Sequence, residues 1–231
     1  MGRRGEIALD PRLSMIARMV GKCECCADIG CDHGRLGAFL LETDQCRQME
    51  LTDISEPSLK KARALIHGPG FTDRVRFAVG DGLSALEGKP DVIVIAGMGG
   101  ATIARILQAD FERLHGARLV LQPNVAAPQL REALCRMDYA ITDERIVQDG
   151  RRCYVIIQAQ PGKADYNLKQ LAVGPVLLER LPEELKPYAQ FRLRVAKKAL
   201  KGAAASDDKA KRVPLEQEIA IWEEVCACLQ R

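Results

Sequence analysis

A chain of 231 residues with 47% hydrophobic content is long enough for one full-sized core and a smaller appendage. Its 34 basic and 31 acidic residues leave a net charge of +3, which excludes a uniformly basic coat and confines any phosphate-binding surface to local clusters. The longest apolar stretch, about 92–104, is too short and too glycine-rich for a bilayer span, and no signal peptide opens the chain, so a soluble, cytoplasmic protein without membrane contact is expected.

Short apolar runs alternate with helix-length amphipathic segments from about residue 22 to 160, the pattern of a doubly wound α/β sheet. Seven strands are predicted, near 25–29, 48–52, 75–79, 92–96, 118–122, 140–148 and 153–159. Asp149-Gly150 is a hairpin-turn dipeptide, so the last two pair antiparallel. Beyond Pro161-Gly162 the pattern turns helical, which divides the chain into domains 1–161 and 162–231. Leu181, Leu185, Tyr188, Arg192, Val195 and Ala199 step by four and three. Leu215, Ile219, Trp222, Cys226 and Leu229 do the same after a polar linker at 202–211. The two predict a coiled-coil-like helical hairpin, with Pro182 in the first turn of one helix and Asp207 or Asp208 capping the other. The nine cysteines are scattered and odd in number, so reduced thiols are expected. Cys23, Cys25, Cys26 and Cys31 cluster, but Cys25 and Cys26 would point to opposite faces of a strand, which argues against a metal site.

Two glycine loops follow strands. The first is Asp28-Ile29-Gly30-Cys31-Asp32-His33-Gly34, and the second is Ile95-Ala96-Gly97-Met98-Gly99-Gly100. A ribose-binding acid should end the next strand about 20 residues on. Asp53 does so after the first loop, whereas Gln122 ends the strand after the second. The nucleoside therefore belongs to the first loop, whose spacing is not the Gly-x-Gly-x-x-Gly of a dinucleotide turn. A third acid, Asp81, follows the third predicted strand. Taken singly, Asp53 or Asp81 would equally serve as a turn or cap residue.

A parallel sheet closed by a terminal hairpin, with acids at successive strand ends, resembles class I S-adenosylmethionine (SAM) methyltransferases. The resemblance implies that Asp28 and the N–H groups of the first loop hold the amino-acid end of SAM, Asp53 the ribose and Asp81 the adenine amino group. It places Gly30, Asp32, His33, Gly34, Ile54, Gly82, Ala96, Gly97 and Met98 around the cofactor as well. The second loop would border the transferred methyl group, and it lacks the Asn- or Asp-Pro-Pro-aromatic run used on exocyclic amines. A ring nitrogen such as N1 of adenine carries an in-plane lone pair and needs only in-line placement, which glycine backbone at Gly99 and Gly100 permits.

Asp28-Ile29-Gly30-Cys31-Asp32-His33, Ile95-Ala96-Gly97-Met98-Gly99-Gly100, Leu121-Gln122-Pro123-Asn124 with Leu130-Arg131, and the helical tail resemble the bacterial tRNA (adenine(22)-N1)-methyltransferase family from about Leu13 onward. This implies a Rossmann-like SAM domain, tRNA as partner and methylation of adenine N1. The base must be unpaired and turned out. Asp32 is then a candidate for steadying the cationic product, and His33 and Asn124 for orienting base or cofactor. His33 serves equally as a structural hydrogen-bonding residue. The chain departs from the family at Gly34-Arg35, where Ala and an aromatic are common, and at Cys31, where Ser is; Arg35 is expected to stack or contact phosphate. Around the hairpin, Arg192, Arg194, Lys197, Lys198, Lys201, Lys209, Lys211 and Arg212 face only Asp207 and Asp208, so Lys197, Lys198 and Lys201 are either tRNA contacts or a solvated helix face. Arg3, Arg4, Arg12 and Arg18 would add a second basic edge. A monomer or weak dimer is expected. Other RNA, small-molecule or protein acceptors stay open for the same fold, as does a silent RNA-binding module. A nicotinamide enzyme is disfavoured by Gln122.

Overall fold

Seven apolar runs become the strands of one sheet, ordered β3-β2-β1-β4-β5-β7-β6. The strands are β1 (Cys23–Ile29), β2 (Cys46–Asp53), β3 (Val75–Val79), β4 (Val92–Met98), β5 (Arg118–Pro123), β6 (Tyr139–Asp149) and β7 (Arg152–Pro161). β1 to β5 run parallel, and β7 pairs antiparallel with both β5 and β6. The computed structural model describes residues 7–67, 71–150, 152–205 and 209–230. Arg3, Arg4, Asp207 and Asp208 lie outside the described residues, and so do the side chains from 204 to 211, Lys209 and Lys211 included.

Two units divide the chain, Met1–Ala164 and Asp165–Arg231. In the first, the central strands are apolar on both faces because helices cover both. Val92, Ile93, Val94 and Ile95 of β4 are all buried, as are Cys26, Ala27, Asp28 and Ile29 of β1. Helix α1 (Pro11–Val20) precedes β1. Asp10 starts it, its Oδ1 accepting from the Leu13 N–H at 2.7 Å with Pro11 in the first turn. The Asp-Pro pair, followed by Leu13, Ile16, Ala17 and Val20 at helical spacing, was the available signal for this helix. α2 (Arg35–Glu42) follows the first glycine loop, and α3 (Glu56–Leu65) is capped by Ser55. Ile16, Leu40, Leu59 and their neighbours join these three helices in one core with β1 and β2. α4 (Gly100–Ala109) and α5 (Ala127–Arg136) pack on each other and on β4, β5 and β6. A fully buried ion pair, Arg131 Nε to Glu144 Oε1 at 2.8 Å, fastens α5 to β6. This accounts for Arg131 in the Leu130-Arg131 motif.

The second unit differs in detail from the helical hairpin that the sequence pattern predicts. Two six-residue helices, α6 (Leu168–Val173) and α7 (Pro175–Arg180), come first. Leu181, expected on the helical stripe, instead ends α7 in the left-handed region at φ 46° and is exposed. Pro182 precedes the next helix rather than opening it, because α8 spans Leu185–Ala205 and α9 spans Lys209–Cys228. Gly202, assigned to the linker, lies within α8. The packed positions on α8 are Leu185, Tyr188, Ala189, Ala196 and Ala203, whereas Val195 is 45% exposed. Trp222 of α9 is fully buried, edge-on to Tyr188 and beside the Arg192 guanidinium, which also bonds Glu218 at 2.7 Å.

Candidate active site

The carboxyl ends of β1, β2 and β4 meet where the strand order reverses around β1, the position at which open α/β sheets bind ligands. The N–H groups of Gly30 and Cys31 both donate to the Thr52 carbonyl, at 2.8 and 3.0 Å, which carries the first loop out over β2. Gly30 sits at φ +71°, and a Cβ there would collide with the Met98 side chain from the second loop. The left-handed backbone favours glycine, and a side chain there would also have to displace the Met98 terminal methyl group. Asp53 binds both neighbouring segments: Oδ2 accepts from the Asp32 N–H at 2.9 Å and Oδ1 from the Ser55 N–H at 2.8 Å. Each oxygen keeps a second lone pair for an incoming hydroxyl.

Between the loops is a cavity of about 390 Å³ lined by Arg12, Leu13, Asp28, Gly30, Cys31, Asp32, His33, Arg35, Leu36, Ala96, Gly97 and Met98. That volume suits a small-molecule cofactor. Asp28 is 5% exposed on its wall. Burial, with the Asp53 charge adding and the Arg12 guanidinium opposing, pushes its carboxyl up to about 7. A buried acid at such a wall favours an incoming ammonium group, and the glycine loops admit backbone contact. The donor set thus fits the amino-acid end and ribose of SAM.

The second loop is held by a closed circuit of hydrogen bonds. Gln122 is fully buried, and its Oε1 accepts from Arg12 Nη1 at 2.9 Å and from the Gly97 N–H at 3.1 Å. Its Nε2 donates to Asn124 Oδ1 at 3.1 Å, and Asn124 Nδ2 donates to the Gly97 carbonyl at 2.6 Å. Gly97 itself is at φ +79°, a conformation suited to glycine. Asn124, expected to orient the base, therefore spends its amide on the loop. From the sequence, Gln122 counts as a residue that is not an acid and as part of the Gln-Pro-Asn motif, without a structural role, and Arg12 only as part of a basic edge. The local signal for Gln122 was a polar side chain ending an otherwise apolar strand.

Of the other expected residues, Asp32, His33 and Arg35 line the cavity while their polar atoms also bond neighbouring segments, and the rest lie outside its lining. Asp32, at φ 50°, turns its carboxylate toward α3, 3.5 Å from Ser58 Oγ. His33 Nε2 stands 3.5 Å from Asp32 and accepts from the Lys61 ammonium at 3.1 Å. The pair thus leans toward α3 rather than across the pocket. Arg35 donates to the Ala8 carbonyl at 2.5 Å. Gly34 opens α2 at its N-terminus, and Gly99 does the same for α4. The Gly100 N–H donates to the Val125 carbonyl at 2.8 Å. Asp81 and Ile54 are exposed next to Gly82 and Asp53, on the β2–β3 side of the same rim. In the other unit, Lys197 is paired with Glu223 at 2.7 Å, while Lys198 and Lys201 are exposed. Among the described residues there is no helix long and apolar enough to cross a membrane and no cluster of metal-ligating side chains.

A family model described as a methyltransferase domain matches residues 9–157. The tRNA (adenine(22)-N(1))-methyltransferase of Bacillus subtilis is 33% identical over 183 residues, covering 78% of this chain and 77% of that protein. The crystal structure of the B. subtilis m1A22 tRNA methyltransferase superposes with a TM-score of 0.86 at 28% identity, covering 96% of this chain and 100% of that one. A Streptococcus pneumoniae protein solved in complex with S-adenosyl-L-methionine gives 0.85 at 26% identity, covering 95% and 100%. With the seven-stranded sheet, the Asp28 loop and the Gln122-braced glycine loop all in place, the chain belongs to the tRNA (adenine(22)-N1)-methyltransferase family.

Proposed function

We propose that this chain transfers the methyl group of SAM to N1 of adenine 22 in tRNA. The observation that carries the reading is the 390 Å³ cavity in which buried Asp28 faces glycine loops from two neighbouring strand ends. SAM supplies an electrophilic methyl group when bound. Asp28 and the Gly30–Gly34 loop would hold its amino-acid end, Asp53 its ribose, and Asp81, Ile54 and Gly82 its adenine, with Ala96, Gly97 and Met98 forming the facing wall of the cavity.

The substrate nitrogen brings its own lone pair, so no side chain has to remove a proton before transfer. The work of the protein is alignment and exclusion of water. Gly97 and Gly99 let the extruded base approach the backbone, whereas Gly100, expected there too, is buried with the Ala126 backbone where a Cβ would sit; Gln122 with Asn124 keeps the loop in place. The methylated ring is cationic, and the exposed carboxylate of Asp32 at the cavity supplies a negative field for it. His33 and Arg35, on the α2–α3 side of the cavity, are the contacts for the nucleotide backbone near the flipped base. Residues 1–161 form the SAM domain, and the helices of 162–231 provide tRNA contacts, with Lys198 and Lys201 available and Lys197 requiring release from Glu223.

Unmodified tRNA incubated with the protein and labelled SAM tests the reading. Nucleoside mass spectrometry should find one N1-methyladenosine, mapped to position 22, and none when that adenine is replaced by guanine. Methylation at another site, or labelling only of small molecules, would refute it.

A further inference from the structure

The amino ends of the strands, opposite the cavity, carry chemistry that methyl transfer does not use. Cys23 opens β1 and Cys46 opens β2, and they are direct register partners in the parallel ladder. Their sulfurs stand 2.8 Å apart. Neighbouring strands lie ~4.8 Å apart, within the Cα separation that a disulfide accepts, so joining them requires no backbone movement. The two differ in access: Cys46 is fully buried, whereas Cys23 is partly exposed and lines a groove of about 890 Å³ with Lys22, Gln45 and Arg47.

We propose that Cys23 and Cys46 form a peroxide-responsive dithiol, with Cys23 attacking and Cys46 resolving, that closes to a disulfide stapling the starts of β1 and β2. Hydrogen peroxide is the oxidant. The Cys23 thiolate attacks one peroxide oxygen, the O–O bond breaks, and the hydroxide released takes a proton to become water, leaving a sulfenic acid. The Cys46 sulfur, giving up its proton, attacks the Cys23 sulfur; the S–S bond forms, the S–O bond breaks, and a second water leaves. The paired thiols are oxidised and the peroxide is reduced to water. The electrostatics agree with this division. Hydrogen bonds with Cys26 and Cys46 hold the Cys23 thiol well below its usual range, with Arg118 assisting, whereas the bond with Cys23 pushes Cys46 up to about 12.

The disulfide closes residues 23–46 into a loop that contains the first glycine loop and all of α2. Constraining that segment in the unfolded chain stabilises the fold. The test treats fully reduced protein with equimolar peroxide, then alkylates it and maps peptides by non-reducing mass spectrometry. The expected product joins the Cys23 and Cys46 peptides, about 2 Da lighter than the reduced pair, ahead of oxidation at exposed Cys228. It melts roughly 5–10 °C higher than the reduced protein, and dithiothreitol reverses the change. Dimedone should trap Cys23 in the wild-type protein, and more of it in Cys46→Ala and Cys46→Ser. Peroxide that leaves Cys23 and Cys46 reduced while Cys228 oxidises overturns the proposal, as does a bond from Cys23 to Cys26.

Discussion

Replacing Asp28 with Asn separates the charge of the pocket wall from its shape. The side chains are nearly isosteric, so packing against β2 and β4 is retained and the change is confined to one ionisable group. Burial raises the Asp28 carboxyl from 3.8 to about 7, so the folded protein holds the proton more tightly than the unfolded chain does. Wild-type stability therefore falls as pH rises from 3.8 toward 7, and the loss is complete above the folded value. A shift of about 3 pH units at 1.36 kcal/mol each makes that loss about 4 kcal/mol. The asparagine amide does not titrate, so the stability of Asp28→Asn relative to wild type should improve by about 4 kcal/mol between pH 4 and pH 8.5. For a chain of this size that corresponds to a change of roughly 10 °C in the difference between their melting temperatures. Comparing the two proteins at both pH values cancels every other titration they share. In wild type, SAM affinity should weaken by up to about tenfold per pH unit below 7 as Asp28 takes up a proton; in Asp28→Asn binding should be weak and lack this dependence. A stability difference that is the same at both pH values would refute the claim that Asp28 is a destabilised, buried charge kept for the ligand.

Gln122→Ala cuts the circuit through Arg12, Gly97 and Asn124, and should lower turnover by about tenfold or more through poorer alignment while SAM affinity by calorimetry changes little; an equal loss in both would place Gln122 on the cofactor instead. Arg131→Met removes the guanidinium from the fully buried Glu144 carboxylate, and should destabilise by about 3–5 kcal/mol in urea unfolding, with most of that recovered in Arg131→Met/Glu144→Leu. Lys198→Ala/Lys201→Ala should flatten the plot of log tRNA affinity against log salt by about 1 for each phosphate that the two lysines neutralise; an unchanged slope would remove α8 from the tRNA surface.

The strands were legible because a parallel sheet covered on both faces needs unbroken apolar runs, and Val92 to Ile95 reads as nothing else. Asp53 and Asp81 were legible as candidates because each stands where an apolar run stops, and Asp28 because it interrupts one, just before Ile29 and the first glycine loop. The face of α8 was not. Val195 carries more apolar weight than Ala196, so a three-four count selects it. The packed positions are nevertheless the small Ala189, Ala196 and Ala203, all buried. Helices α6 and α7 are six residues each, too short to show a period; the Gly174-Pro175 break between them was the one local cue. The circuit around Gln122 was invisible for another reason. Arg12 and Gln122 are 110 positions apart, and only the fold brings them within bonding distance.

Arg12 also shows where the pocket begins in the chain. It stands on α1, ahead of the first strand, yet its guanidinium holds the second loop through Gln122 and opposes the protonation of Asp28. A protein trimmed to start at β1 would keep every acid and glycine of the pocket and lose the cation that tunes them. The apparent preamble to the sheet is thus part of the cavity wall, and a chain starting at Cys23 would lack the Arg12 and Leu13 side chains that line it.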